Sequence, residues 1–422
     1  MNISQNPGFL RRHPDFGTFW GAMALVGIGA QIQSITIGWQ IYSQSRSSGL
    51  SIENSAFMVG MVGLCQFLPL FVLSLYGGAT ADRHSRLGIV RICLCIDMAC
   101  LIALAWFARN PAAPLTPIFV VAAIFGASRA FLSPANWAVT PMLVSKADMP
   151  QAISLQSVSG EATVIIGPWI GGMLCATSTA LSFGTAALLF LAGMLASLMI
   201  RTSTTPERQP GSQLGQIREG LVYVWQNKVI FGAISLDLFA VLLGGATALL
   251  PAFASDILQV GPQGFGILRS GSAIGAGLMA LVLVRWPLKR RAGPRLFWAV
   301  GAFGLATLVF AFSRSMVLSM MALAVLGAAD MVSVYVRQIL VQIVTPDHMR
   351  GRVSSVSGLF ISGSNELGEF ESGVVSRFFG PVMAAAFGGI GTLIVTGTWA
   401  WMFPGLRRAD RLDGKPDDTA AP

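Results

Sequence analysis

The strongest constraint in this sequence is a series of apolar runs, each on the order of 20 residues, the length a helix needs to cross about 30 Å of hydrocarbon. Twelve such runs begin near Phe16, Ala56, Leu87, Thr116, Gln151, Leu181, Val229, Phe265, Leu296, Met316, Val353 and Pro381. Inside a bilayer only helices or closed barrels satisfy every backbone polar group, and runs this long point to helices. Composition agrees, with 54% hydrophobic and only 11% charged residues, against about 25% charged in soluble domains. The expectation is an all-α membrane protein with twelve transmembrane helices in two six-helix halves.

A net charge of +9 raises the question of an acidic partner, and the placement of the bases answers it. With the N-terminus inside, the inner segments hold Arg11 and Arg12, then Arg83, Arg86 and Arg91, then Lys146, then Arg201, Arg208, Arg218 and Lys228. Later inner segments add the group from Arg285 to Arg295, then Arg350 and Arg352, then Arg407, Arg408, Arg411 and Lys415. The outer loops hold Arg46, Arg109, Arg314 and Arg377. This asymmetry predicts cytoplasmic termini and assigns the basicity to membrane topology rather than to nucleic acid. The polar stretch before Phe16 precedes a full-length span, so the first span is expected to anchor the chain instead of being cleaved. Cys65, Cys93, Cys95, Cys100 and Cys175 lie in or beside apolar spans without zinc-ligand spacing and read as packing residues.

Several spans carry polar stripes. Gln33, Thr36 and Gln40 share one face of the first, a pattern that suits either interhelical packing or substrate contact. Asp97 sits at mid-depth in the third, where an acid marks a pairing or a function. The fourth carries Arg129, Ser133, Asn136 and Thr140, and the fifth Ser154, Ser157 and Glu161. Asp237 lies in the seventh span, Asp330, Ser333 and Arg337 share a face of the tenth, and Ser362, Glu366 and Glu369 share a face of the eleventh. The spacing of Asp330 and Arg337, two turns apart on one face, suggests an ion pair or a contact network, whereas Asp237, with no base near it in its own span, is the first choice for a proton carrier.

From Arg201 to Lys228 the sequence turns polar, which suggests a linker between halves. The expected organisation is a first half over 1–200, a linker over 201–228 containing an amphipathic helix, a second half over 229–404 and a tail over 405–422. Ile217, Leu221, Val224 and Trp225 fall at helical spacing, as in a helix lying on the membrane or on the protein. The halves repeat one another: Gln156-Ser157-Val158-Ser159-Gly160 answers Ser354-Ser355-Val356-Ser357-Gly358, and Val139-Thr140-Pro141 answers Val344-Thr345-Pro346. Internal repeats of this kind suit an alternating-access carrier with a site between its halves.

Between the second and third spans stands Gly77-Gly78-Ala79-Thr80-Ala81-Asp82-Arg83-His84-Ser85-Arg86. Its Gly78, Asp82, Arg83 and Arg86 match the G-x-x-x-D-R-x-G-R signature of the major facilitator superfamily, with Ser85 where the family usually has Gly. The resemblance implies that Asp82 helps lock the two halves on the cytoplasmic side. Gly167, Pro168, Gly171 and Gly172 are similar to the fifth-span packing motif of drug–proton antiporters, with Thr163 replacing a common Gly. Ser364-Asn365-Glu366-Leu367-Gly368 and Thr345 to Val353 resemble a bacterial exporter subgroup that includes enterobactin (catecholate siderophore) exporters and also macrolide and multidrug exporters.

The expected function is therefore export of a small molecule across the bacterial inner membrane by proton antiport. A siderophore and a broader drug range both fit. An exporter of this kind needs a buried carboxylate that binds and releases a proton, and Asp237, Glu161, Asp330, Glu366 and Glu369 are the candidates. Gln33, Thr36, Gln40, Arg129, Ser133, Asn136, Ser333, Arg337 and Asn365 are the candidates for substrate contact. Arg129 and Arg337 suit an anionic, oxygen-rich ligand, whereas Glu366 and Glu369 suit a cationic one. His13, His84 and His348 lie in inner segments, so no serine–histidine pair is expected within the membrane and no enzyme is expected. The expected partners are the substrate, protons and membrane lipid, with the chain a monomer and no cofactor, metal or nucleic acid.

Overall fold

The computed structural model describes residues 8–110, 113–205, 213–288, 290–346 and 349–410. Arg208, Lys289, His348, Arg411 and Lys415 lie outside the described residues, as do the side chains of Ile217 and Ser362. The helices are α1 Pro14–Ser47, α2 Ile52–Ala81, α3 Arg86–Phe107, α4 Thr116–Leu143, α5 Met149–Thr177, α6 Thr179–Leu198, α7 Gln213–Gln226, α8 Lys228–Gly244, α9 Gly261–Arg285, α10 Ala292–Phe312, α11 Met316–Val344 and α12 Arg350–Met402. Among the described residues, eleven helices are long and apolar enough to cross a membrane. The 53-residue α12 is two spans joined at Gly380, whose φ of 80° and ψ of 161° are non-helical. Only glycine adopts that conformation without strain, and Pro381 behind it suits the first turn of a new helix. With α12 counted as two, the molecule is the expected all-α membrane protein of twelve spans.

Helix starts are set by local chemistry. Ser85 caps α3, its hydroxyl accepting from the Gly88 amide at 3.3 Å. Asn227 caps α8, its Oδ1 accepting from the Val229 and Ile230 amides at 3.1 and 3.2 Å. After α8 the chain continues through a 3-10 turn, Ala246–Leu249, and a π-helical turn, Phe253–Ile257.

Two compact units form, one of Met1–Ile37 and Leu68–Pro210, the other of Gly38–Phe67 and Gly211–Pro422. The boundary differs from the expected division of the sequence, because the hairpin 38–67 packs with the second unit. In the first unit α3 packs against α4 and α6, and Phe9, Phe16, Phe19, Leu87, Val139 and Leu143 form an apolar core. In the second, α8 packs on α12, α9 on α11, and α10 on both α11 and α12. The linker helix α7 is part of the second unit and packs within it through Val224, 2% exposed, and through Tyr223, whose hydroxyl donates to the Val344 carbonyl. Its Leu221 and Trp225 stay exposed. Exposed Trp298, Leu281, Val284 and Trp401 give the helices the apolar exterior that hydrocarbon requires.

Candidate functional site

In the second unit, α8 and α11 bring a charged cluster together, with Asp237 and Arg337 buried and Asp330 half-buried. Arg337 forms an ion pair with Asp237, and the residues are 3% and 6% exposed. Of the two arrangements expected for Asp330 and Arg337, a direct ion pair or a contact network, the ion pair is not seen: Arg337 pairs with Asp237, and Asp237 and Asp330 line one cavity. The base comes to Asp237 from another helix, which the order of residues within one span cannot reveal. A cavity beside the pair is lined by Asp237, Ala240, Val241, Val300, Phe303, Ala329, Asp330 and Ser333. Ser333, 3% exposed, has no hydrogen-bond partner for its Oγ. Two carboxylates, one guanidinium and one open hydroxyl thus share a small space otherwise walled by hydrocarbon, a setting in which adding or removing one proton changes the local charge balance.

On the first part of α12, Glu369 lies 4.0 Å from the Arg269 guanidinium of α9. Glu366 is buried at 8%, and Asn365 is exposed with its amide donating to the Ile361 carbonyl. The α2 helix lies backbone-close here: a Cβ on Gly63 would sit 2.5 Å from the Glu366 carbonyl oxygen, and one on Gly60 2.8 Å from that of Glu369. The backbone that carries both acids lies at a tight helix–helix seam.

The same unit contains a clasp that sequence reading missed. The Tyr42 hydroxyl donates to Asp256 Oδ2 at 2.6 Å, Arg46 donates to Asp256 Oδ1 at 3.0 Å, and Arg46 also donates to the Leu50 carbonyl. Asp256 is aimed by the π-helical turn, a distortion frequent at functional sites. An aromatic ending one span and an acid just past another were visible in the sequence. Their pairing across some two hundred residues was not.

In the first unit Thr36 proves to be a packing residue. It is fully buried, donates to the Ile32 carbonyl at 2.7 Å and lies 2.6 Å from the Ser182 hydroxyl, so its expected role in substrate contact is corrected. Gln33 and Gln40 are each 9% exposed, and Gln40, on the part of α1 within the second unit, has an unpartnered Oε1. Arg129 and Ser133 are exposed midway along α4, Asn136 is half-buried beside them, and Ser154, Ser157 and Glu161 form an exposed polar row on α5. Thr140 accepts from Gln156 Nε2 at 2.6 Å.

The turn before α3 is anchored by Arg86, which donates to the Ala138 carbonyl of α4 at 2.8 Å. Ser85, in place of the usual glycine, is the helix cap described above and also lies 3.3 Å from the Thr204 hydroxyl. Gly78 is half-buried, while Asp82 and Arg83 are exposed on the same turn. Gly167 and Gly171 admit α1 to close contact, Gly171 so closely that a Cβ there would lie 3.1 Å from Ile32 Cα. Pro168 and Gly172 are buried with them. Outside the membrane spans, Asp148 accepts from His13 at 2.8 Å. That hydrogen bond, then one from Ser145, then the charge of Arg12, hold its carboxyl below the usual range. Among the described residues no group of three or more His, Cys, Asp or Glu side chains is disposed to hold a metal ion.

Comparison with known proteins places this architecture. The chain is similar to the multidrug efflux pump Tap of Mycobacterium tuberculosis (strain ATCC 25618 / H37Rv), 26% identical with 97% of this chain and 96% of that one covered. It is similar to the enterobactin exporter EntS of Escherichia coli O1:K1 / APEC, 25% identical over 92% of each chain. Among solved structures, the D-xylose–proton symporter aligns with a TM-score of 0.72 at 13% identity, covering 96% of this chain and 99% of that one. The nucleoside transporter NupG aligns with a TM-score of 0.70 at 14% identity, covering 92% and 99%; both show the shared fold. Residues 10–421 match the family model described as a transmembrane secretion effector, and the chain therefore belongs to that family of the major facilitator superfamily, as a multi-pass membrane efflux transporter.

Proposed function

We propose that the protein exports an oxygen-rich anionic small molecule of the catecholate siderophore class across the bacterial inner membrane, with both termini cytoplasmic, by exchange against protons. The observation that carries the substrate class is Arg129. It is a guanidinium exposed midway along a membrane-spanning helix, beside the polar residues Ser133 and Asn136. A cation placed there is costly without a function, and its planar donors suit catecholate oxygens. The enterobactin exporter among the relatives supports the same class.

Proton coupling is supported by the cluster of Asp237, Asp330, Ser333 and Arg337. Glu161 on the exposed row of α5, and Glu366 and Glu369 on α12, are the other candidates. The turn of Gly78, Asp82, Arg83 and Arg86 gates the cytoplasmic side in this reading. A second reading, efflux of structurally diverse drugs, is favoured by the resemblance to Tap over nearly the whole chain.

Ligand-induced stabilisation of the purified protein separates the two. A catecholate siderophore at about 100 times its dissociation constant should stabilise the fold by about 2.7 kcal/mol, and Arg129→Gln should abolish the effect. Stabilisation by lipophilic cations alone, unchanged in Arg129→Gln, would move the substrate to the drug class.

A further inference from the structure

The first unit contains a buried acid that the reading above does not use. Asp97 lies midway along the 22-residue α3 and is 4% exposed. Its Oδ1 has no hydrogen-bond partner, and neither has the Oγ of Ser128, which is 6% exposed. The helices packed against α3 are α4 and α6. Of these, α6 contains no Asp, Glu, Lys, Arg or His. The charged residue of α4, Arg129, follows Ser128 in sequence, about 100° further round the helix, and is exposed where Ser128 is buried. On α3 itself Arg91 donates to the Ser197 carbonyl and Arg86 to that of Ala138. What shares a face with Asp97 is Cys93 and Cys100, both buried thiols, Cys93 lying 3.7 Å from the Ser128 carbonyl. Among the described residues no base pairs with this carboxyl.

An ionised carboxylate in such a place has no counter-charge and only the Ser128 hydroxyl as a neutral donor, at a cost of several kcal/mol. The neutral acid carries one donor and retains acceptor capacity, which suits a serine hydroxyl across the interface. Neutrality requires a bound proton. We propose that Asp97 is a proton-binding site of the first unit, occupied while α3 and α4 are packed as seen here and emptied when that packing opens to water. On release the acid O–H bond breaks, the proton passes to water and the carboxylate becomes hydrated. Arg86 supplies the mechanical link to transport, since it ties the start of α3 to α4 and so carries a rearrangement of the turn into the helix pair holding Asp97. The transport consequence rests on the proton coupling proposed above; occupancy of the site does not.

Infrared spectroscopy of the purified protein in lipid tests the site directly. Wild type at neutral pH should show the carbonyl stretch of a protonated carboxylic acid that is absent from Asp97→Asn and shifted in Ser128→Ala. In vesicles Asp97→Asn should still exchange substrate without a pH gradient but should lose the acceleration that a gradient gives. Absence of the band at neutral pH would overturn the proposal, as would gradient-driven transport in Asp97→Asn equal to wild type. Should Asp97→Asn fail to fold, aspartate isotope labelling of wild type and of Ser128→Ala decides the same point, a band that Ser128→Ala leaves unshifted counting against it. Failure of the exporter reading would appear separately, as wild type that moves no substrate while the infrared band remains.

Discussion

Replacing Arg337 by Gln should destabilise the protein by an amount that depends on pH. Both members of the Asp237–Arg337 pair are buried, so removing the guanidinium strands a carboxylate in apolar surroundings. Left charged, it costs about 3–5 kcal/mol. Taking up a proton is the other route. From an ordinary carboxylate value of about 3.9 that route costs about 4 kcal/mol at pH 7 and about 1.5 kcal/mol at pH 5, at roughly 1.36 kcal/mol per pH unit. The folded variant then holds a proton that the unfolded chain lacks, so its stability falls as pH rises and returns as pH drops. Relative to wild type, Arg337→Gln should therefore recover up to about 2.7 kcal/mol between pH 7 and pH 5. The double variant Asp237→Asn with Arg337→Gln carries no stranded charge and should recover most of the loss at both values. Thermal unfolding of the detergent-solubilised proteins, monitored by retention on size exclusion, measures this. An equal loss at both pH values, or a double variant as unstable as the single one, would refute the reasoning.

Other expectations come from separate parts of the molecule. Gly63→Val places atoms against the Glu366 carbonyl and should cost about 1–3 kcal/mol by overpacking, with transport lost; Gly21→Ala, with open space around its Cβ position, should leave transport unchanged in the same assay. Asp256→Asn weakens the hydrogen bonds that Tyr42 and Arg46 donate. A loss of about 1.4 kcal/mol in that clasp corresponds to about tenfold faster maleimide labelling of a cysteine placed at the buried Ser55, read in a background lacking the native thiols. The lowered carboxyl of Asp148 stabilises the fold above the ordinary carboxylate range and loses that contribution as pH falls through its folded value. Asp148→Asn should therefore be less stable than wild type at pH 7 and converge with it well below about pH 4, as thermal unfolding at the two values will show. Asp82→Asn should slow transport with little change in the amount of folded protein, measured by initial rates against folded yield; an unchanged rate counts against the gating role.

Much of the fold was legible because hydrophobic length is a one-dimensional signal. The twelve runs, the polar linker segment and the Gly380-Pro381 break between the last two spans are all local properties of the chain. Chemistry that depends on which helices meet was less legible. Asp237 reads as an isolated acid until α11 supplies Arg337, and Thr36 shares a stripe with Gln33 until Ser182 claims its hydroxyl. Glu366 and Glu369 read as cavity acids, and what the sequence did not show is that Gly60 and Gly63 bring α2 against the backbone that carries them. Tyr42, Arg46 and Asp256 carry no periodic signal at all, since a π-helical turn displaces Asp256 from the register that a regular helix would give. Ser85 looks like a departure from a motif until its hydroxyl is seen capping α3.

The central claim, export of a catecholate-type anion against protons, is tested most directly by uptake into inside-out membrane vesicles energised by a proton gradient. A catecholate siderophore and a lipophilic cationic dye are compared for wild type and for Asp237→Asn and Asp330→Asn. The account predicts gradient-dependent uptake of the siderophore by wild type and loss of that dependence in at least one of the two variants. Uptake of the dye alone, or siderophore uptake indifferent to the gradient, would contradict it.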